Sequence, residues 1–234
     1  TVYKRPKVAL IANGDELVKP GSELKSGQII SSNAYALSAL IKAWGAEPVD
    51  AGISIDDPAA IRQQIHECGD VDLFVPVGGA SVGDRDYMRT VFAEMGYTKI
   101  FEKVAVKPGK PVWFGQMDSA LVLGLPGNPA SALVCAQIFL KPLLFALLGD
   151  QAPANTPHFA RTTTSLNAPG WRTSFIRAFA YIDQSGCVHV TRADNQDSSL
   201  LTPFRNSNCF IRQDADTASI AAGELVEIVP IKPI

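Results

Sequence analysis

Cysteine is scarce in this chain, and its four residues, Cys68, Cys135, Cys187 and Cys209, lie far apart with no C-x-x-C pair among them. That spacing argues against a disulfide framework or a structural zinc site and favours a reducing compartment, so the cytoplasm is the expected location. Histidine is scarcer still: His66, His158 and His189 are isolated, too small a ligand set for zinc. There is no G-x-S-x-G elbow, no Walker A motif and no G-x-G-x-x-G, which sets aside the chemistries those loops serve. Neither charge dominates: 21 basic against 23 acidic side chains leave a formal charge of −2, with no signature of a nucleic-acid partner. No charged segment followed by an apolar stretch opens the chain, so no secretion signal is expected. The absence of an initiating Met is expected of a piece of a longer polypeptide, and equally of a processed beginning. One apolar run, 130–148, approaches membrane-spanning length, but Lys141-Pro142 interrupts it. A buried, kinked core helix is expected there, and no membrane partner.

What is present reads as two domains. A hydrophobic share of 47% with 19% charged residues is ordinary for a globular protein, and 234 residues exceed the usual size of one domain. Apolar runs at 7–12, 46–53, 71–77, 100–106, 111–114 and 121–123 predict strands. Helical patterns at 32–44, after Asp57-Pro58, over 86–95 and from 128 to about 148 alternate with them. Asp57 is an N-cap ahead of proline at the first helical position, and Ile61 and Ile65 share one face of the helix that follows. Such alternation predicts a doubly wound α/β domain with a mainly parallel sheet over residues 1–149. Pro76 fits a central strand poorly, because a ladder wants its N–H. From Gly149 the composition turns linker-like, and residues 150–234 carry short β-branched and aromatic runs at 174–182, 187–192, 209–212 and 225–231. A small all-β barrel or sandwich is expected there.

The chemistry-bearing residues collect beyond the expected strand ends, where open α/β sheets bind ligands. After the third strand comes Gly-Gly-Ala-Ser-Val-Gly-Asp-Arg-Asp, Gly78 to Asp86. Its glycines let backbone N–H groups approach an oxyanion, and Asp84 and Asp86 suit a hard cation such as Mg²⁺. Asp15 and Glu16 follow the first strand, Asp56 and Asp57 the second. Glu16 and Asp86 are the candidate metal ligands, or the base that orients an attacking water. Lys103, Lys107 and Lys110 surround a loop stiffened by Pro108 and Pro111, and lysine is a point-charge ligand for an oxyanion. In Gly-Leu-Pro-Gly-Asn-Pro-Ala-Ser, Gly124 to Ser131, Asn128 can cap the helix while its first N–H groups and Ser131 form an anion seat. Each feature also has an ordinary reading, as a solvated acid, a solvated basic loop or a plain helix start.

Five stretches taken in order resemble the molybdopterin molybdenumtransferase family, of the MoeA and gephyrin E-domain type. They are Asn-Gly-Asp-Glu-Leu (Asn13 to Leu17), Gly-Gln-Ile-Ile-Ser-Ser-Asn (Gly27 to Asn33), the loop from Gly78 with Tyr87, Lys-Val-Ala-Val-Lys-Pro-Gly-Lys-Pro (Lys103 to Pro111), and the loop from Gly124. Arg172-x-x-Phe175-x-Arg177, Gln196-Asp197-Ser198, Asn208-Cys209-Phe210-Ile211 and Ala222-Gly223-Glu224-x-Val226 extend the likeness to the second half. The resemblance implies a molybdopterin-binding, MogA-like α/β domain followed by a small β domain. It implies insertion of molybdate into adenylylated molybdopterin with Mg²⁺-dependent release of AMP. Glu16 and Asp86 would serve the metal, and with Lys107 the chemical step. Gly78, Gly79, Ser81, Gly83, Lys103, Lys110, Pro111, Pro126, Gly127, Asn128 and Ser131 would surround the pterin phosphate and molybdate, with Arg177 and Ser198 reaching the molybdate side from the second domain. The family often has threonine at the position of Asn13, an acid at that of Ser31 and glycine at that of Asp197. Its members carry two further domains ahead of Lys7, which help build a homodimer, and the molybdopterin adenylyltransferase is an expected partner. A binding or scaffold module without turnover is the alternative expectation.

Overall fold

The computed structural model of the chain describes residues 2–78, 87–150 and 157–234. Two compact units emerge, one from Thr1–Val104 and Pro111–Ala152, the other from Ala105–Lys110 and Pro153–Ile234. The first begins with β1 (Lys7–Asn13), buried throughout after Lys7, as a strand covered on both faces requires. The short β2 (Leu17–Val18) and β3 (Ile29–Ile30) pair with each other. Then come α1 (Asn33–Ala43), β4 (Glu47–Ser54), α2 (Pro58–Glu67), β5 (Leu73–Val77), α3 (Tyr87–Glu94) and β6 (Thr98–Glu102). The chain lends β7 (Val106–Lys107) to the second unit and returns for β8 (Trp113–Met117), β9 (Ala120–Gly124) and a helix over Pro129–Leu147.

The sheet order is β4-β1-β5-β9-β8-β6. The first four strands run parallel, while β8 is antiparallel to β9 and β6 to β8. A two-residue turn, with Asp118 at φ 50°, joins β8 to β9 and admits only a hairpin, because a parallel crossover needs a dozen residues or more. Alternate residues of β1 feed opposite faces. Val8 and Leu10 meet Leu37, Ile41, Leu140 and Leu144 on one side; Ala9 and Ile11 meet Ile61, Ile65, Met88 and Phe92 on the other. Helices therefore cover both faces, each buried Leu or Ile contributing about 1.5–3 kcal/mol.

Asp57 caps α2 through a 2.8 Å bond accepted from the Ala60 N–H, with Pro58 at the first turn. The helix from Pro129 is α-helical to Cys135 (α4), widens into a π-turn over Ala136–Leu140 and resumes at Lys141–Leu147 (α5). Pro142 has no N–H to give the preceding turn, and the wider spacing just ahead of it takes up that break. Although long and apolar enough to cross a membrane, this helix buries Ala132, Ala136, Leu140 and Leu144 in the sheet-facing core. Pro76 lies next to the last residue of β5. It is tolerated because the ladder to β9 is registered at Leu73↔Leu121 and Phe74↔Val122, then lapses until an isolated bridge at Val77↔Leu125. In that gap the Pro76 carbonyl accepts from the Leu125 N–H at 2.9 Å, and no donor is missed.

The second unit comprises β7, β10 (His158–Thr162), β11 (Thr173–Ile182), β12 (Val188–Arg192), the one-turn α6 (Thr202–Arg205), β13 (Cys209–Gln213) and β14 (Leu225–Pro230). Strands β12-β10-β14-β13-β11 close into a ring through the β11–β12 pairing. Closure rests on the length of β11, whose first half pairs with β13 and whose second half pairs with β12. Small side chains, among them Ala160, Ala178, Ala180 and Cys209, share the interior with the larger Leu166, Ile211 and Ile228. The chain thus has a barrel, where pattern alone left barrel and sandwich open. The run 100–106, expected as one strand, belongs to two: Lys103 at φ 59° breaks it, β6 stays in the first sheet and β7 joins β11 in parallel.

Candidate functional site

Four parallel strands end at one rim of the first unit, and their loops meet there through the backbone. Gly14 N–H donates to Ser54 O at 3.3 Å, and the Asp56 N–H donates to the Asp15 carboxylate at 3.0 Å, joining the loops after β1 and β4. Gly78 follows β5 at φ +98°, and a Cβ there would lie 2.8 Å from Asn13 O. Only glycine tolerates both that conformation and that approach. A Cβ on Gly127, beyond β9, would stand 3.4 Å from the Gly78 Cα. The Gly127 carbonyl also accepts from Asn33 Nδ2 at 2.7 Å, which ties the start of α1 to the same place. The product is a strand-end rim where glycines let the loops approach closely, at the position where α/β sheets hold anionic ligands.

Glu16 is exposed at this rim, with its carboxylate oxygens 2.6 and 2.8 Å from the position a Gly14 Cβ would occupy. Glycine at position 14 is what makes room for it. Asp86, Gly79, Ser81 and Gly83 lie outside the described residues. Among the described residues no group of three or more His, Cys, Asp or Glu could hold a metal ion. Mg²⁺ asks for less, since one or two carboxylates with substrate phosphates suffice, and Glu16 in its glycine cradle fits one such ligand. Gly127 and Asn128 are exposed, whereas Pro126 and Ser131 are buried. Asn128 holds the N-cap position ahead of Pro129 as expected, with no side-chain cap hydrogen bond; its carbonyl accepts from Ala132 N–H at 2.9 Å. Its ψ of 123° leaves the helix entry to Pro129, whose fixed φ already suits it. Lys103 is exposed, its N–H bonded to Val112 O at 2.8 Å, and Pro111 is half-buried.

Lys107 and Lys110 sit in the second unit. Parallel pairing of β7 with β11, at Val106↔Thr173 and Lys107↔Ser174, and a 2.9 Å bond from Thr173 N–H to Ala105 O set them beside the turn at Gly170. Trp171 stands at that turn, 57% exposed, with Lys110 Nζ 5.5 Å and Arg172 Cζ 5.1 Å from its ring centroid. Among the described residues none of Lys107, Lys110 and Arg172 pairs with a carboxylate. Sequence pattern does not single out Trp171 and gives Arg172 only as part of a motif. The available signal was a large aromatic next to a base just after a turn glycine.

Arg177 is held by the second unit itself. Expected to reach molybdate, it is 1% exposed inside the barrel wall. Its guanidinium donates to Gln196 Oε1 (3.3 Å), Asp197 O (3.0 Å) and Leu200 O (3.2 Å), and lies 5.6 Å from the Phe204 ring centroid. Gln196 Nε2 returns bonds to the carbonyls of Arg177 and Ala193. Burial pulls the Arg177 pKa below the ordinary arginine value, and the Asp197 charge opposes the shift. This side chain holds the segment that carries half-buried Ser198. The carboxylate of Asp197 is occupied too, accepting from Ser199 N–H and Oγ at 2.9 and 2.8 Å, bonds that lower its pKa. A cavity of about 1130 Å³ lies on the same unit, lined by Phe179, Leu200, Pro203 and Arg205, and none of the expected site residues lines it.

The family described as "Probable molybdopterin binding domain" matches residues 9–146, and "MoeA C-terminal region (domain IV)" matches residues 160–231. A protein named molybdopterin molybdenumtransferase from Haemophilus influenzae is 37% identical over 230 residues, covering 97% of this chain and 57% of its own length. Its namesake from Nostoc sp. is 40% identical over 181 residues, 75% of this chain and 41% of the relative. A crystal structure titled as a molybdopterin biosynthesis MoeA protein from Pyrococcus horikoshii superposes with a TM-score of 0.82 at 29% identity, covering 98% of this chain and 55% of that one. The chain thus spans about half the length of the curated relatives it matches. With both regions in order, a mainly parallel α/β sheet and then a closed barrel, the chain belongs to the molybdopterin molybdenumtransferase family.

Proposed function

We propose that this chain carries the pterin-binding and molybdate-inserting part of a molybdenum cofactor biosynthesis enzyme, acting on adenylylated molybdopterin. One observation supports the reading most: the backbones of Gly14, Gly78 and Gly127 meet at a single strand-end rim with Glu16 beside them. Bare backbone there can approach a pyrophosphate, and Asn33 braces the loop at Gly127. Glu16 and Asp86 would hold Mg²⁺, which when bound neutralises phosphate charge. Asp86 orients a water toward the adenylyl phosphorus; the new P–O bond forms as the phosphoanhydride bond to the pterin phosphate breaks, giving AMP and the pterin phosphate. Lys107 and Lys110 supply uncompensated positive charge for molybdate, and a full-length homodimer in the cytoplasm is the assembly this reading favours.

Calorimetric titration with adenylylated molybdopterin and Mg²⁺, with AMP alone as control, tests the reading, followed by molybdate addition and an assay of AMP. Binding of the conjugate with AMP release is expected, and Asp86→Ala abolishes release while leaving the fold intact. Full release by that variant refutes the role of Asp86, and binding without release by the natural sequence marks a binding module instead.

A further inference from the structure

A carboxylate that pairs with a surface lysine or arginine offsets the charge it holds. Around Trp171 the arrangement differs. Lys110 and Arg172 both lie within cation–π range of one exposed indole, at 5.5 and 5.1 Å, and neither has a carboxylate partner among the described residues. An aromatic ring attracts a cation through its quadrupole and carries no net charge. The two side chains are therefore held while their full charge remains available to an anion. Each would otherwise lose rotamer freedom on binding a ligand, and the ring takes up part of that cost beforehand.

The turn carrying the indole is itself anchored. Asp216 N–H donates to Gly170 O at 2.8 Å, and Thr173 N–H to Ala105 O at 2.9 Å, so both ends of the Trp171-Arg172 pair are tied to backbone. The β7–β11 pairing brings Lys107 to the same edge with its own charge uncompensated. Three cations and one exposed ring, with no carboxylate paired to any of the cations among the described residues although Asp216 bonds the turn through its backbone, describe a seat for a small dianion.

We infer that Trp171 is a positioning residue that holds Lys110 and Arg172 as a preorganised station for a tetrahedral oxyanion. The inference rests on the molybdate reading above for the identity of that anion, whereas the station itself rests on the geometry around the indole. Its effect is on anion affinity, not on the pterin crevice of the first unit.

The test compares the natural sequence with Trp171→Leu and Trp171→Phe by calorimetric titration with sodium molybdate, and in parallel with inorganic phosphate, at low salt. Loss of two exposed cation–π contacts is expected to weaken oxyanion binding roughly 3- to 10-fold in Trp171→Leu, with Trp171→Phe intermediate. The tighter of the two anions names the source. Equal oxyanion affinity in Trp171→Leu and the natural sequence overturns the inference, as does failure of the natural sequence to bind either anion. Far-UV circular dichroism and melting of each variant separate these outcomes from a folding defect, and nuclear magnetic resonance of the Arg172 Nε–H, shifted by the ring current only while the indole is present, reports the contact without any ligand. Titration with adenylylated molybdopterin judges the functional reading separately: conjugate binding that survives alongside Trp171-independent anion binding sinks the station and leaves the function standing.

Discussion

Replacing Arg177 by alanine separates a structural role from a ligand role. Its guanidinium makes three hydrogen bonds, to Gln196 Oε1, Asp197 O and Leu200 O, from a side chain only 1% exposed. Hydrogen bonds to a charged group are each worth about 1.5–3 kcal/mol, and two carbonyls left without their donor add a desolvation cost. Because these terms are not additive, the expected destabilisation of the second unit is about 3–5 kcal/mol. For a unit of this size that is a fall in melting temperature of roughly 10 °C or more. Urea unfolding followed by tryptophan fluorescence reads the effect by unit, since Trp171 reports the barrel while Trp44 and Trp113 report the α/β unit. Arg177→Lys recovers part of the loss, because an ammonium can reach one carbonyl but cannot reproduce the planar fork. A loss below about 1 kcal/mol in Arg177→Ala, together with abolished oxyanion binding, would refute the reasoning and return the side chain to the substrate.

Two further perturbations follow. Gly78→Ala meets both a φ of +98° and a Cβ contact of 2.8 Å with Asn13 O, whereas Gly127→Ala places its Cβ at an ordinary 3.4 Å from Gly78. The first is expected to cost about 1–3 kcal/mol and to weaken pterin binding; the second is expected to change stability by less than about 0.5 kcal/mol, and equal effects in thermal melts would show that the crevice is not built on Gly78. Asp183 accepts from Ser185 Oγ at 2.7 Å, His189 Nε2 at 2.7 Å and the backbone N–H groups of Ser185 and Cys187, and these bonds hold its pKa below the usual carboxylate value. A lowered native pKa stabilises above the unfolded value and is lost as pH falls, so Asp183→Asn should melt earlier than the natural sequence near pH 6, with the gap closing below about pH 4. A gap that persists unchanged at pH 2 contradicts the assignment.

The alternation of apolar runs and helical patterns, the Asp57-Pro58 helix start and the interruption at Pro142 were all legible in the sequence, because each acts within a few residues of itself. Ile61 and Ile65 fall on the core face as their spacing requires, and Val8, Leu10, Ala9 and Ile11 feed two faces because strand side chains alternate. The motifs at Gly78 and Gly124 pointed to strand ends, and the structure brings Gly127 near enough to Gly78 there that a Cβ added to Gly127 would touch the Gly78 Cα. Other features depend on segments that meet only after folding. Barrel closure needs β11 to pair with both β12 and β13, and the assignment of Ala105–Lys110 to the second unit needs β7 to find β11. An arginine has the same letter whether its charge is spent on buried carbonyls, as at Arg177, or left open beside an indole, as at Arg172. Local propensity determines which elements form, whereas burial and the partners of a charge are properties of distant residues brought together, and only the tertiary structure decides them.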